Sequence, residues 1–302
     1  MAPTLPCAAV TLAVLLMPVC GVAQELEPGA YWPIPTGLNI VTAANTFNRG
    51  ELAFDPSAPI DEGSAAINAT AFAFTRAFSL AGRSANTGVM LPVVAGHVKG
   101  RYLGEAADVG RFGLADPRFR LAMNLYGAPA MTPQAFASYR QQTIVGVSVT
   151  VAPPLGQYDS DKLINLGTNR WSFRPELGVS RAYGRWNLEA MAGVWLFTDN
   201  RDFFGGRTRK QDPIVATQFH VTFKFKRTMW LAGDANYFTG GRTTLGGKRN
   251  LDLQRNSRIG ATFSSALGRH QAVRVAVSRG AYTTIGADFT SVGASYSYAW
   301  MR

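Results

Sequence analysis

In the stretch "TIVGVSVTVA", Val145, Val147, Val149 and Val151 alternate with Gly146, Ser148 and Thr150. A period of two places successive side chains on opposite faces of a strand, one apolar and one polar. The segment "TQFHVTFKFK" repeats the pattern, setting Phe219, Val221, Phe223 and Phe225 against His220, Thr222, Lys224 and Lys226. In "RWSFRPELGVS", Trp171, Phe173, Leu177 and Val179 oppose Arg170, Ser172, Arg174 and Glu176. "DPRFRLAMNLYG" does the same: Phe119, Leu121, Met123 and Leu125 share one face, and Arg118, Arg120, Ala122 and Asn124 the other. A helix would scatter these arginines around its axis. The pattern predicts strands over 37–47, 65–78, 85–96, 116–126, 142–152, 170–180, 185–197, 213–225, 229–238, 256–266, 271–279 and 287–300. The phase is least regular over 229–238.

The connections carry a second pattern. "LAGRS", "AYGR", "KRT" and "LGRH" are short, whereas "TDNRDFFGGRTRKQ" and "TGGRTTLGGKRNLDLQ" are long, polar and Gly-rich. Alternating short and long connections belong to transmembrane antiparallel β-barrels, with short periplasmic turns and long external loops. One connection breaks the rule. "APAMTPQAFASYRQ" is long yet falls on the periplasmic side, and Thr132-Pro133 is suited to start a short helix. Trp186, Trp230 and Trp300 map to one rim and Trp171 to the other, as expected of rings at a membrane interface. The tail "SYSYAW" alternates Tyr296, Tyr298 and Trp300, resembling the C-terminal aromatic signal read by barrel insertion machinery. The fold class expected is all-β: a membrane barrel of about twelve strands over 37–302, its apolar face in lipid. A soluble sandwich or lipocalin-like barrel would reverse the faces, and the regular loop alternation speaks against it.

The N-terminus changes the picture further. The apolar run Ala8 to Val19 is too short to span a bilayer as a helix, and it leads into the small-x-small site Gly21-Val22-Ala23. It reads as a cleavable signal peptide, 1–23, although its n-region has no Lys or Arg. The rival is a lipoprotein signal at Cys20, for which Met17-Pro18-Val19 lacks the small residue expected before the cysteine. Cys7 and Cys20 both lie in this segment, so the mature chain would carry no disulfide, thiolate metal site or cysteine nucleophile. Residues 24–36 form a proline-punctuated lead-in. The segment Glu25 to Pro35, stiffened by Pro28, Pro33 and Pro35, is expected to tuck into the periplasmic mouth as a partial plug.

Composition and charge narrow the function. Only 16% of the 302 residues are charged, low against the usual value of about 25%. The net charge of +11 admits nucleic acid, an anionic membrane surface or an anionic solute as partner. No basic run with interleaved aromatics is present, so nucleic acid is not expected. The strand phases place Arg118, Arg120, Asn124, Arg170, Arg174, Glu176, Glu189, His220, Lys224, Asp234, Arg258 and Arg274 in the barrel interior as a candidate solute path. Glu176 is expected to pair with Arg174 or a neighbour, leaving Arg118 and Arg120 as a free cationic field. The structural alternative is an interior filled with mutually paired charges.

Chemistry of other kinds finds little support. Of His97, His220 and His270, only His220 points inward, and neither His97 nor His270 has a serine and a carboxylate or carboxamide at lipid-facing spacing. No catalytic residue, metal site or cofactor is expected. "GGRTTLGGKRN" and "FFGGRTRK" lack the Walker spacing and read as external loops. Asp159 and Asp161 in "YDSDK" are too few for a calcium loop.

The segment Pro153 to Pro213, with "ELEPGAYWPIPTGLN", "GLADPRFRLAMNLYGAPAMTP" and "NSRIGATFSSALGRHQAVRVAVSRG", resembles the MetA-pathway of phenol degradation family of Gram-negative outer membranes. The resemblance covers nearly all of the mature chain. It implies a barrel transporter associated by name with aromatic catabolism, and it supplies no catalytic residues. The expected function is an outer-membrane channel or facilitated transporter for small solutes, with phenol-derived compounds or aromatic acids as the class that the resemblance suggests. Its expected partners are outer-membrane lipid, the insertion machinery and the solute. The alternatives are a non-conducting structural or adhesive barrel and an outer-membrane enzyme.

Overall fold

The computed structural model describes residues 26–53, 60–102 and 105–301, so the expected signal peptide lies outside the described residues. No helix among them is long and apolar enough to cross a membrane. The described elements are strands almost throughout. In chain order the elements are β1 (Leu38–Ala53), β2 (Ile60–Leu80), β3 (Arg83–Tyr102), β4 (Glu105–Leu114), β5 (Arg118–Tyr126), α1 (Pro133–Ser138), β6 (Thr143–Ala152), β7 (Ser172–Tyr183) and β8 (Trp186–Phe197). They continue with β9 (Asn200–Phe203), β10 (Arg207–Gln211), β11 (Ile214–Lys226), β12 (Met229–Gly240), β13 (Thr243–Leu245), β14 (Lys248–Arg249), β15 (Gln254–Ala266), β16 (Gln271–Tyr282) and β17 (Gly286–Met301).

Twelve of these strands close a barrel in the order β1-β2-β3-β5-β6-β7-β8-β11-β12-β15-β16-β17, every pairing antiparallel. Closure joins β1 to β17 from Leu38↔Met301 to Ala53↔Gly286. With no free edge, the backbone groups are satisfied within the wall, which a bilayer interior requires. The alternation sorts the faces as the sequence pattern predicts. Phe119, Leu121 and Leu125 face outward, while Arg118, Arg120, Ala122 and Asn124 are buried inside. Outward Trp186 meets Phe223, and Trp171 stacks on Phe173. Trp230 corrects the expected aromatic rim: it is only 2% exposed and turns into the lumen. There its ring meets Trp32 edge-on at 5.5 Å.

The fourth barrel strand is broken. Below the break β5 pairs with the lower part of β3, and above it β4 pairs with the upper part, from Val93↔Leu114 to Tyr102↔Glu105. Pro92 on β3 and Pro117 before β5 lack N–H groups, and the ladder changes partner between them. On its other side β4 meets a folded loop, 153–171. Gln157 N donates to the Leu114 carbonyl at 2.8 Å, and Arg111 Nε donates to the Ile164 carbonyl at 2.7 Å. Asp116 anchors that loop by accepting from Gly156 N, Thr168 N and Thr168 Oγ1.

At the short-turn end, Thr132 caps α1 by accepting from Ala135 N, with Pro133 opening the helix. At the long-loop end, the expected loops form a second sheet, β14-β13-β10-β9. Gly205-Gly206 and Gly246-Gly247 all have positive φ and turn its two hairpins.

Candidate functional site

The lumen is built from inward positions of successive strands, and its lower part is filled by the chain itself. Residues 26–37 run inside the barrel. Glu27, Ala30, Tyr31, Trp32 and Ile34 are each at most 5% exposed, although they belong to no strand. Tyr31 lies in a slot between two glycines that pair with each other across β6 and β7, Gly146 and Gly178. A Cβ on either would come within 2.2 Å of the Tyr31 ring. The slot therefore exists only because both residues lack a side chain. The Tyr31 hydroxyl donates to Glu176 Oε1 at 3.0 Å and meets Ser148 Oγ at 3.1 Å. Asn124 Nδ2 donates to the Tyr31 carbonyl at 3.1 Å. Ile34, Leu38 and Ile40 pack with Trp32, Ala77, Trp230 and Ala299 into an apolar floor.

The charged groups of the interior converge on this segment. Arg174 Nη2 lies 3.3 Å from Glu27 Oε1 and 3.6 Å from Glu176 Oε2. Arg120 Nη2 donates to Ser148 Oγ at 3.2 Å and lies 3.8 Å from Glu176 Oε1. Its guanidinium also sits 5.4 Å from the centre of the Tyr31 ring. Lys224 approaches the Trp32 ring to 4.2 Å. The backbone N–H groups of Glu27 and Gly29 donate to Gln218 Oε1 and Glu189 Oε2. Pairing at this burial means that removing one partner leaves an uncompensated charge, which costs about 3–5 kcal/mol. The segment is thus held by directed polar contacts as well as by packing.

All twelve interior residues read from the sequence lie on the inner side. Arg118, Arg120, Asn124, Arg174, Glu176, Glu189, His220, Asp234, Arg258 and Arg274 are buried on barrel strands, Arg170 is buried just before β7, and Lys224 is half-buried. The structure brings Arg120, Arg174 and Glu176 together around Tyr31. It sets His220 Nδ1 against Asp234 Oδ1 at 2.6 Å, with Thr262 Oγ1 donating to Asp234 Oδ2. Arg258 is separate, donating to the Phe289 carbonyl, Ser278 Oγ and Ser291 Oγ.

The expected free field at Arg118 and Arg120 is corrected. Arg120 shares Glu176, which sits on β7, and Arg118 lies 5.9 Å from the centre of the Trp195 ring, with Arg174 5.2 Å from the same ring. Among the described residues no Ser, Thr or Cys side chain hydrogen-bonds a histidine ring nitrogen.

Above the filled part, at the long-loop end, the upper strands and the second sheet border a half-open cavity of about 680 Å³. Val98, Val109, Leu163, Ile164, Phe203, Phe204 and Leu245 supply its mainly apolar lining. Arg101, Arg111 and Arg209 are cations of the lining and Asp252 its carboxylate, while the Lys99 ammonium pairs with Asp108 at 3.3 Å. Between cavity and plug, Trp195, Ile214, Ala216 and Phe238 form a buried apolar cluster, with Phe197 packed against it. Strand phase does not reveal the cavity, because its lining comes from connections that read as loops. Glu27 and Tyr31 were hidden for a different reason: their partners lie more than 100 positions away. The inward register of Gly146 and Gly178 was the available clue.

Comparison with known proteins agrees with this architecture. No curated protein matches the chain. Among solved structures, the COG4313 outer membrane channel from Pseudomonas putida F1 superposes with a TM-score of 0.77 at 18% identity, covering 91% of this chain and all of that one. The β domain of the Bordetella autotransporter BrkA follows at 0.48 and 12% identity, covering 87% of this chain and 99% of its own. The CymD monoaromatic hydrocarbon channel reaches 0.45 at 9% identity, with 89% and 90% covered. A family model described as "Putative MetA-pathway of phenol degradation" matches residues 29–299. The chain belongs to this family and forms an outer-membrane β-barrel of the Gram-negative type.

Proposed function

We propose that this barrel is a passive transporter that takes up small, mainly apolar solutes from outside, aromatic compounds being the class its family name suggests. The observation that carries this reading is the apolar cavity at the long-loop end, placed above a lumen that residues 26–37 fill. A cavity of about 680 Å³ falls within the range of roughly 300–1,000 Å³ typical of small-molecule sites, which are likewise apolar with a few polar groups. A wide aqueous pore would need neither the apolar lining nor the plug. In this reading the cavity captures the solute, and the N-terminal segment must shift before the solute passes.

Uptake of a radiolabelled phenol by a Gram-negative host, with and without the chain, tests the proposal. Expression should raise the initial rate several-fold. Leu245→Arg or Phe204→Arg, each placing a charge among the apolar lining, should return it to the host level at equal surface abundance. Equal rates with and without the unaltered chain would favour a structural barrel.

A further inference from the structure

We infer that Arg170 and Arg209 form a carboxylate-binding site at the inner wall of the extracellular cavity, so that the preferred solutes are organic acids with an apolar body. The inference deepens the transport reading and rests on it. Arg209, on β10, lines the cavity, and its guanidinium lies 5.4 Å from the centre of the Phe203 ring. Arg170 is not itself a lining residue: it is 5% exposed and sits 4.3 Å from the centre of the Phe197 ring. Its Nη2 donates to Gln211 Oε1, two residues along β10 from Arg209, while Nε and Nη1 have no hydrogen-bond partner.

Neither arginine is in a salt bridge among the described residues. The nearby carboxylates, Asp116 for Arg170 and Asp252 for Arg209, act only beyond contact distance. Asp116 holds Gly156 and Thr168, and Asp252 accepts from the N–H and hydroxyl of Thr243. Burial, and then the charge of Arg209, push Arg170 down to about 9 against the opposing charge of Asp116, so it remains a cation at neutral pH. A buried guanidinium with two open N–H groups and no carboxylate in contact is an expensive arrangement. A carboxylate between them would satisfy the open N–H groups, and the guanidinium fork suits it in geometry as well as charge. The apolar lining beside Arg209 then takes the body of the acid.

The test uses the detergent-purified barrel and two probes of one shape, 3-phenylpropionate and its neutral amide, titrated by calorimetry. The unaltered protein should bind the acid at least about tenfold more tightly than the amide. Arg209→Gln and Arg170→Gln should each bring the two affinities together by weakening the acid alone, and Arg170→Lys should restore part of the preference. Retained heat-modifiable migration on gels controls for folding. If Arg170→Gln fails to fold, Arg209→Gln decides on its own. Equal binding of acid and amide by the unaltered protein, or a preference that survives in the folded variants, overturns the inference while leaving cavity capture standing. Failure to bind either probe overturns both.

Discussion

Tyr31 shows how far single residues determine this structure. Its ring needs two opposed positions with no side chain, and Gly146 and Gly178 supply them. Gly178→Val should therefore evict the ring and leave the wall intact, because Val is well suited to a strand. The expected outcome is normal insertion with a several-fold rise in ion conductance across a planar bilayer. Unchanged conductance would mean that Tyr31 does not hold the lumen shut. The wall itself is tested on β5. Leu121, 42% exposed on the outer face, should lose roughly 2–4 kcal/mol on replacement by Arg near the midplane, read from unfolding in denaturant. Arg120→Leu should spare the barrel and loosen the plug instead, because Glu176 retains Arg174. Residue facing was legible wherever the alternation was strict, as on β5 and β11. Trp230 was misjudged because closeness to a turn gives the height of a side chain and not its face. Arg120 was misjudged because its partner lies two strands away.

At the scale of elements, the broken fourth strand is the clearest departure from a uniform barrel. The loop 153–171 covers the side of β4 away from β3, and three hydrogen bonds to Asp116 hold that loop down. Asp116→Ala removes all three at once. Hydrogen exchange over 153–171 should then accelerate by at least tenfold, with exchange in β6 and β7 unchanged; slow exchange throughout would assign the loop's order to packing alone. The twelve barrel strands could be read from alternation because each needs one face in lipid. The small strands β9, β10, β13 and β14 carry charges such as Arg207, Arg209, Lys248 and Arg249 and have no lipid face to impose a period. Their Gly-Gly turns were visible, and Gly-Gly between short segments is a hairpin signal. Without an apolar stripe beside it, that signal read as loop.

For the whole molecule, the question is what charge the lumen presents once its plug moves. Arg118, Arg120, Arg174, Lys224, Arg258 and Arg274 outnumber Glu176, Glu189 and Asp234 on the inner wall, and Glu27 offsets part of the difference from within the plug. Glu27→Gln should act twice. It weakens the link to Arg174, favouring release of the segment, and it removes a negative charge from the path. Conductance should rise, and the open variant should pass anions in preference to cations. Because the field acts on mobile ions, selectivity should fall as the Debye length shrinks from about 10 Å at 0.1 M salt to about 3 Å at 1 M. Replacing Arg118 and Arg120 by Gln in the Glu27→Gln background keeps hydrogen-bonding capacity and removes two charges. Reversal potentials should then move toward the non-selective value, with conductance little changed. Persistence of full anion preference would assign the field to the remaining cations. If neither Glu27→Gln nor Gly178→Val conducts at any salt concentration, the interior charges brace a closed wall and the aqueous lumen is no part of the route.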